Sequence, residues 1–192
     1  MAQPKMSKKT ELLNIGIEYV KQFCELNNVR RPTIVTNQQD YFLYHGCAGY
    51  FDGKIIRVYE RNCANEAKKP GFSWSHRHYF VDREPCGVVC HEFGHYLHHL
   101  LTDGKLTLPK ENPISGYEPD KYERFAETVK LFITNPDLLK QYCPKRYETL
   151  TKKLGLKPII NEPWEMVMRN AGMDEKYIAA AKKRIAESKK GS

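Results

Sequence analysis

No run of apolar residues in this 192-residue chain approaches the roughly 20 that a helix needs to cross a bilayer. No membrane contact is therefore expected. The first 13 residues carry lysines and polar side chains and lack the apolar stretch of a secretory leader, so the expected location is cytoplasmic. No segment repeats, which excludes an architecture built from recurring units. The six cysteines (Cys24, Cys47, Cys63, Cys86, Cys90 and Cys143) contain no CxxC pair. That argues against a separate structural zinc and fits reduced, packed thiols. Cys47 and Cys63 bracket an expected hairpin, and Cys24 and Cys143 are expected to pack on helices. No nucleic-acid-binding motif is visible.

What is present suits one ordinary domain over residues 1–192. Hydrophobic residues make up 41% of the chain, and 12 Tyr, 8 Phe and 2 Trp supply bulk for a core. Residues 1–136 are expected to hold an N-terminal helix, a small sheet and two site helices, with a basic helical extension over 137–192. The net charge of +8 is uneven. Residues 144–192 hold twelve Lys/Arg against six Asp/Glu, a net of +6, and the remainder nets only +2. Lys182-Lys183-Arg184 and Lys189-Lys190 would suit nucleic acid or an acidic partner. The plainer reading is a solvated helix end with cations near its C-terminus.

The strongest signal is His91-Glu92-Phe93-Gly94-His95. Two histidines four apart on a helix lie one above the other on the same face. They can then share one metal ion, and the glutamate beside the first can take a proton from water. That is the HExxH pattern of zinc-dependent peptidases. The context is helical: Asp82 to Pro85 reads as a start, with acidic residues in the first turn and proline where no backbone donor is needed. Val89, Phe93, Leu97 and Leu100 form an apolar stripe to about Leu101. Gly94 leaves room for close packing.

Catalytic zinc commonly takes three protein ligands. His99 lies about 12 Å further along the helix axis than His91 and cannot share its ion. The longer HExxHxxGxxH pattern is excluded, because His98 and Leu101 stand where it needs glycine and histidine. The better candidate is Glu123, on a helix opened by Pro119 and ended by Asn135-Pro136, with Tyr122, Phe125, Val129 and Phe132 as its stripe. Glu123 and Glu127 share one face. In this reading Glu123 binds zinc. Glu127 accepts a hydrogen bond from the far nitrogen of a ligating histidine, His91, and fixes its tautomer. Ala126 lets the two helices approach.

Residues 7–27 read as an amphipathic helix. Thr33 to Val35, Tyr41 to Tyr44, Gly49 to Phe51 and Ile55 to Tyr59 read as short strands, with a tight turn at Asp52-Gly53. Trp74 to Val81 reads as a further strand, with His76 and His78 alternating along it. The sheet would wall the cleft, and an extended substrate would pair with its edge. Residues 102–119 lack periodicity and read as a functional loop. Short helices are expected near 137–142, 145–154, 162–171 and 174–188, with a connector from Gly155 to Asn161.

His91 to His95 followed by Glu123-Arg124-Phe125-Ala126-Glu127 resembles the gluzincin group of metallopeptidases. The pair is most similar to the peptidase domain of anthrax lethal factor. Leu131-Phe132-Ile133-Thr134-Asn135-Pro136 also looks like small metallopeptidases encoded by bacteriophages, which would place the protein in a host cytoplasm or a virion. The resemblance covers residues 78–136. It implies an α+β, zincin-like fold, with a small twisted sheet packed on the HExxH helix and a helical C-terminal part. It implies one catalytic zinc on His91, His95 and Glu123, Glu92 as general base, and a protein or peptide substrate. A tyrosine shortly before the ligand glutamate stabilises the transition state in the similar domain, which implies Tyr117 here. Tyr122 is the runner-up, although its stripe position suggests packing. The competing expectation is a non-catalytic, zinc-containing interaction or virion-associated protein that uses its basic helices to bind nucleic acid or an acidic partner.

Overall fold

A computed structural model describes residues 7–36, 48–63 and 84–190. Helix α1 spans Lys8–Asn27. Its first turn is closed by Ser7, whose hydroxyl accepts from the Thr10 amide, and it stops at Asn28, where the backbone turns left-handed at φ 50°. Three short strands follow among the described residues: β1 (Thr33–Val35), β2 (Gly49–Phe51) and β3 (Ile55–Val58). The sheet order is β1-β3-β2, with β1 parallel to β3 and β2 antiparallel to it. The β2–β3 turn forms because Asp52 Oδ1 accepts from the amides of Lys54 and Ile55, at 2.9 and 2.8 Å, and because Gly53 adopts φ +91°.

Helix α2 (Pro85–Thr102) lies at the centre, packed on α1, on β2 and β3, and on α3 (Lys121–Thr134). Its two sides differ. Val89, Phe93 and Leu97 are fully buried. Phe23 of α1 meets Phe93 edge-on at 5.5 Å and Phe132 of α3 at 6.2 Å, so one ring joins three helices. On the α3 side, a Cβ built at Gly94 would stand 2.6 Å from the Ala126 Cα. The glycine expected to permit close packing thus sits where the two backbones cross.

Four short helices complete the chain: α4 (Pro136–Tyr142), α5 (Pro144–Glu148), α6 (Trp164–Asn170) and α7 (Glu175–Ser188). Helices α4 and α5 pack on α3, and α4 also meets α6 and α7. The class is α+β, dominated by helix. Among the described residues, no helix is long and apolar enough to cross a membrane.

Several local expectations need correction. Helix α2 begins at Pro85 behind Glu84 and has no acidic residue in its first turn. Helix α3 is opened by Asp120, not Pro119: the Asp120 carboxylate accepts from the amides of Tyr122 and Glu123 and caps the first turn. Leu100 and Tyr122 lie on their apolar stripes yet are 41% and 47% exposed. Each sits in a terminal turn that the core does not cover. The stretch expected as one helix near 145–154 is α5 followed by a wider turn of π type at Thr149–Lys153. Cys24, Cys63, Cys86, Cys90 and Cys143 are buried free thiols. The strands expected at Tyr41 to Tyr44 and Trp74 to Val81, with His76, His78 and Cys47, lie outside the described residues.

Candidate metal centre

Helices α2 and α3 each present two polar side chains across their tight crossing. From α2 come His91 and His95, their ring centroids 4.9 Å apart and nearly perpendicular. From α3 come Glu123 and Glu127. The i, i+4 spacing on each helix stacks each pair on one face, and the absent side chain at Gly94 lets the faces meet. Glu123 Oε2 lies 3.0 Å from His91 Nε2 and 3.5 Å from His95 Nε2, and the two nitrogens are 3.2 Å apart. His91, His95 and Glu123 form the one group of potential metal ligands among the described residues.

These distances can be tested against a metal. Tetrahedral zinc with bonds of about 2.0–2.2 Å to nitrogen and oxygen separates its ligand atoms by roughly 3.3–3.5 Å. The 3.5 Å separation lies at the edge of that range, and those of 3.2 and 3.0 Å fall just short of it. Glu123 Oε2 is buried, and despite the short approaches it accepts no hydrogen bond of acceptable geometry. His91 Nδ1 meets Glu127 Oε1 at 2.7 Å. Assigning the Nδ1 proton to that bond leaves the Nε2 lone pair facing Glu123. An oxygen and two ring nitrogens thus converge, and a cation between them satisfies all three. Two imidazoles and a carboxylate are also a donor set used by catalytic zinc, with a fourth position left open.

Electrostatics tell the same story in the absence of metal. Burial disfavours charge on His91, but the close carboxylates of Glu123 and Glu127 outweigh it and lift its pKa to about 9. Burial also opposes ionisation of Glu123, yet the two imidazoles hold it at about 2. Glu127, fully buried, is likewise held at about 2 against its burial by the charge of Lys130 and the bond to His91. A proton on His91 occupies the place a metal would take.

Glu92 points towards the sheet. A Cβ at Gly49 of β2 would stand 2.7 Å from its Cγ and 2.8 Å from its Oε1, so the strand backbone lies directly against this carboxyl. Burial raises its pKa; the neighbouring imidazoles and a backbone hydrogen bond from Phe51 pull the other way. Tyr117 is 44% exposed, with its ring 6.1 Å from that of His91. The alternative phenol, Tyr122, packs instead on His98 at 5.5 Å. His99, set aside as a ligand, is exposed and lies against Phe51.

Two features escaped the sequence reading. Lys130 is fully buried and binds both oxygens of Glu127, at 2.8 and 2.9 Å. Its only local signal is the i, i+3 charge pair inside an apolar run. The second is the anchoring of the loop that bears Tyr117. Buried Arg146 donates to Glu118 at 3.0 Å, to Thr128 and to the Glu111 carbonyl. Glu118 in turn accepts from the Ile114 amide at 2.7 Å. The Pro113 carbonyl accepts from Tyr142 and from Arg184 of α7. Nothing near Arg146 in sequence marks it as buried. Set against known proteins, the chain matches no family model, no curated protein and no solved structure.

Proposed function

We propose that this chain is a zinc-dependent metallopeptidase of zincin-like fold. The observation that carries the reading is the convergence of His91 Nε2, His95 Nε2 and the buried Glu123 Oε2, at separations close to those around one small cation, with Glu92 the next residue to His91 on α2. Zinc held there supplies a Lewis acid for the scissile carbonyl and an acidified water. Glu92 is the general base: it takes the proton of the attacking water at its carboxylate and passes it to the leaving amine. Its burial raises its pKa from the ordinary value, which makes the carboxylate a stronger base. Glu127 holds the His91 ring by the Nδ1 hydrogen bond. The Tyr117 ring lies 6.1 Å from that of His91, and in this reading its phenol donates to the developing oxyanion. Strand β2 is an edge of the described sheet beside Glu92, and an extended peptide adds to it by backbone pairing.

The basic extension favours the alternative less. Arg184 donates to Tyr142 and Pro113, and Lys182 pairs with Glu165 at 3.1 Å, so these cations serve internal contacts.

The test joins metal content to cleavage. Purified protein is expected to hold about one zinc per chain, and Glu123→Ala to lose it at matched circular dichroism. Glu92→Gln is expected to keep the zinc and lose cleavage of a degenerate peptide mixture. A folded wild type that takes up no zinc ends this reading.

A further inference from the structure

Lys130 is an unusual lysine. It sits in α3 between Val129 and Leu131 with no exposed surface, and its partner Glu127 has none either. Burying an ion pair is costly, and apolar side chains of similar volume commonly do as well or better for stability. The pair therefore calls for a reason beyond stability. Its geometry offers one. The Lys130 ammonium lies 2.8 Å from Glu127 Oε1 and 2.9 Å from Oε2, gripping both oxygens. A carboxylate held at both oxygens cannot rotate about its last bond. Oε1 is thereby kept 2.7 Å from His91 Nδ1, and the ring so held keeps Nε2 turned towards His95 and Glu123.

We propose that Lys130 is a positioning residue of the metal centre, acting through Glu127 to fix the His91 ring. The inference rests on the metal-centre reading above. It assigns the buried charge to orientation of a ligand; a lysine that served packing alone would leave metal binding untouched once the fold was intact.

The experiment uses full-length wild type, Lys130→Met, Glu127→Gln, the double variant Glu127→Gln/Lys130→Met, and Glu123→Ala. Zinc affinity is read by chelator competition and ligand geometry by the visible spectrum of the cobalt(II) form. Lys130→Met is expected to bind zinc about 10–100-fold more weakly, the range typical of lost support to a ligating histidine, with a changed cobalt spectrum. The double variant is expected to bind no more weakly than Glu127→Gln alone, because both changes break one relay. Wild-type affinity and spectrum in a folded Lys130→Met overturn the inference. If Lys130→Met does not fold, the double variant decides, since it buries no unpaired charge. Affinity there at the Glu127→Gln level supports the relay, and wild-type affinity overturns it. A wild type that binds no zinc, or a Glu123→Ala variant that binds it equally well, removes the metal centre itself and this inference with it.

Discussion

Gly94→Ala is the sharpest perturbation of the helix crossing. The added methyl would meet the Ala126 Cα at 2.6 Å, its carbonyl oxygen at 3.0 Å and its carbonyl carbon at 3.2 Å. Carbon atoms rest at about 3.5–4.0 Å, so α2 and α3 must part by roughly 1 Å. Overpacking of this kind costs about 1–3 kcal/mol. In a chain of this length that is a Tm drop of roughly 2–12 °C in the metal-free protein. The same displacement acts on the ligands. Gly94 adjoins His95, and Glu123 stands one helical turn before Ala126, so the 3.0 and 3.5 Å approaches to Glu123 open together. Functional constellations tolerate about 0.5 Å, and the expected loss in zinc affinity is about 10–100-fold. Adding Ala126→Gly should not rescue it, because the atoms met are backbone. Scanning calorimetry and chelator competition read the two effects. Wild-type Tm together with wild-type zinc affinity in Gly94→Ala would refute the argument, and so would full rescue by Ala126→Gly.

Three further outcomes follow from the site and its supports. The raised pKa of His91 stabilises the metal-free fold below about 6.5, and that contribution is lost as pH climbs through about 9. Glu123 and Glu127 contribute above about 4.5 and lose their contribution as pH falls through about 2. From these three groups, metal-free Tm should be level between about 4.5 and 6.5 and decline on either side. Zinc must also displace the His91 proton, so titration calorimetry at pH 7 in buffers of different ionisation enthalpy should show close to one proton released per zinc. Arg146→Met leaves Glu118 buried beside a lost partner and should cost about 3–5 kcal/mol in urea denaturation while the folded protein keeps its zinc; an unchanged midpoint would show that Arg146 contributes nothing to the fold.

Much of the fold was legible because periodicity and capping agree locally. Helix α1, strands β1 and β2, and the bounds of α2 and α3 follow within a residue or two from apolar stripes and turn chemistry. The juxtaposition of His91, His95, Glu123 and Glu127 was legible for a similar reason: i, i+4 spacing fixes a face without knowledge of the rest. Lys130 and Arg146 were not, since lysine and arginine are usually exposed and only tertiary packing buries these two. Tyr122 and Leu100 fail in the opposite sense. A stripe gives the direction of a side chain, but whether a neighbour reaches the last turn depends on how far the adjacent helix runs. Gly49 carries no local sign that a glutamate will pack against it, because that contact joins a strand to a helix far along the chain.

The loop before α3 separates what holds it from what it displays. Glu111, Pro113, Ile114 and Glu118 are tied down by α4, α5 and α7 or by one another, while Gly116 and Tyr117 stand exposed between those ties. One tie spans 71 residues of chain. The course of the loop is thus set by distant helices. Tyr117 is thereby presented 6.1 Å from the His91 ring by contacts made far away in the chain, so a substitution in α7 can shift the phenol without touching α2 or α3.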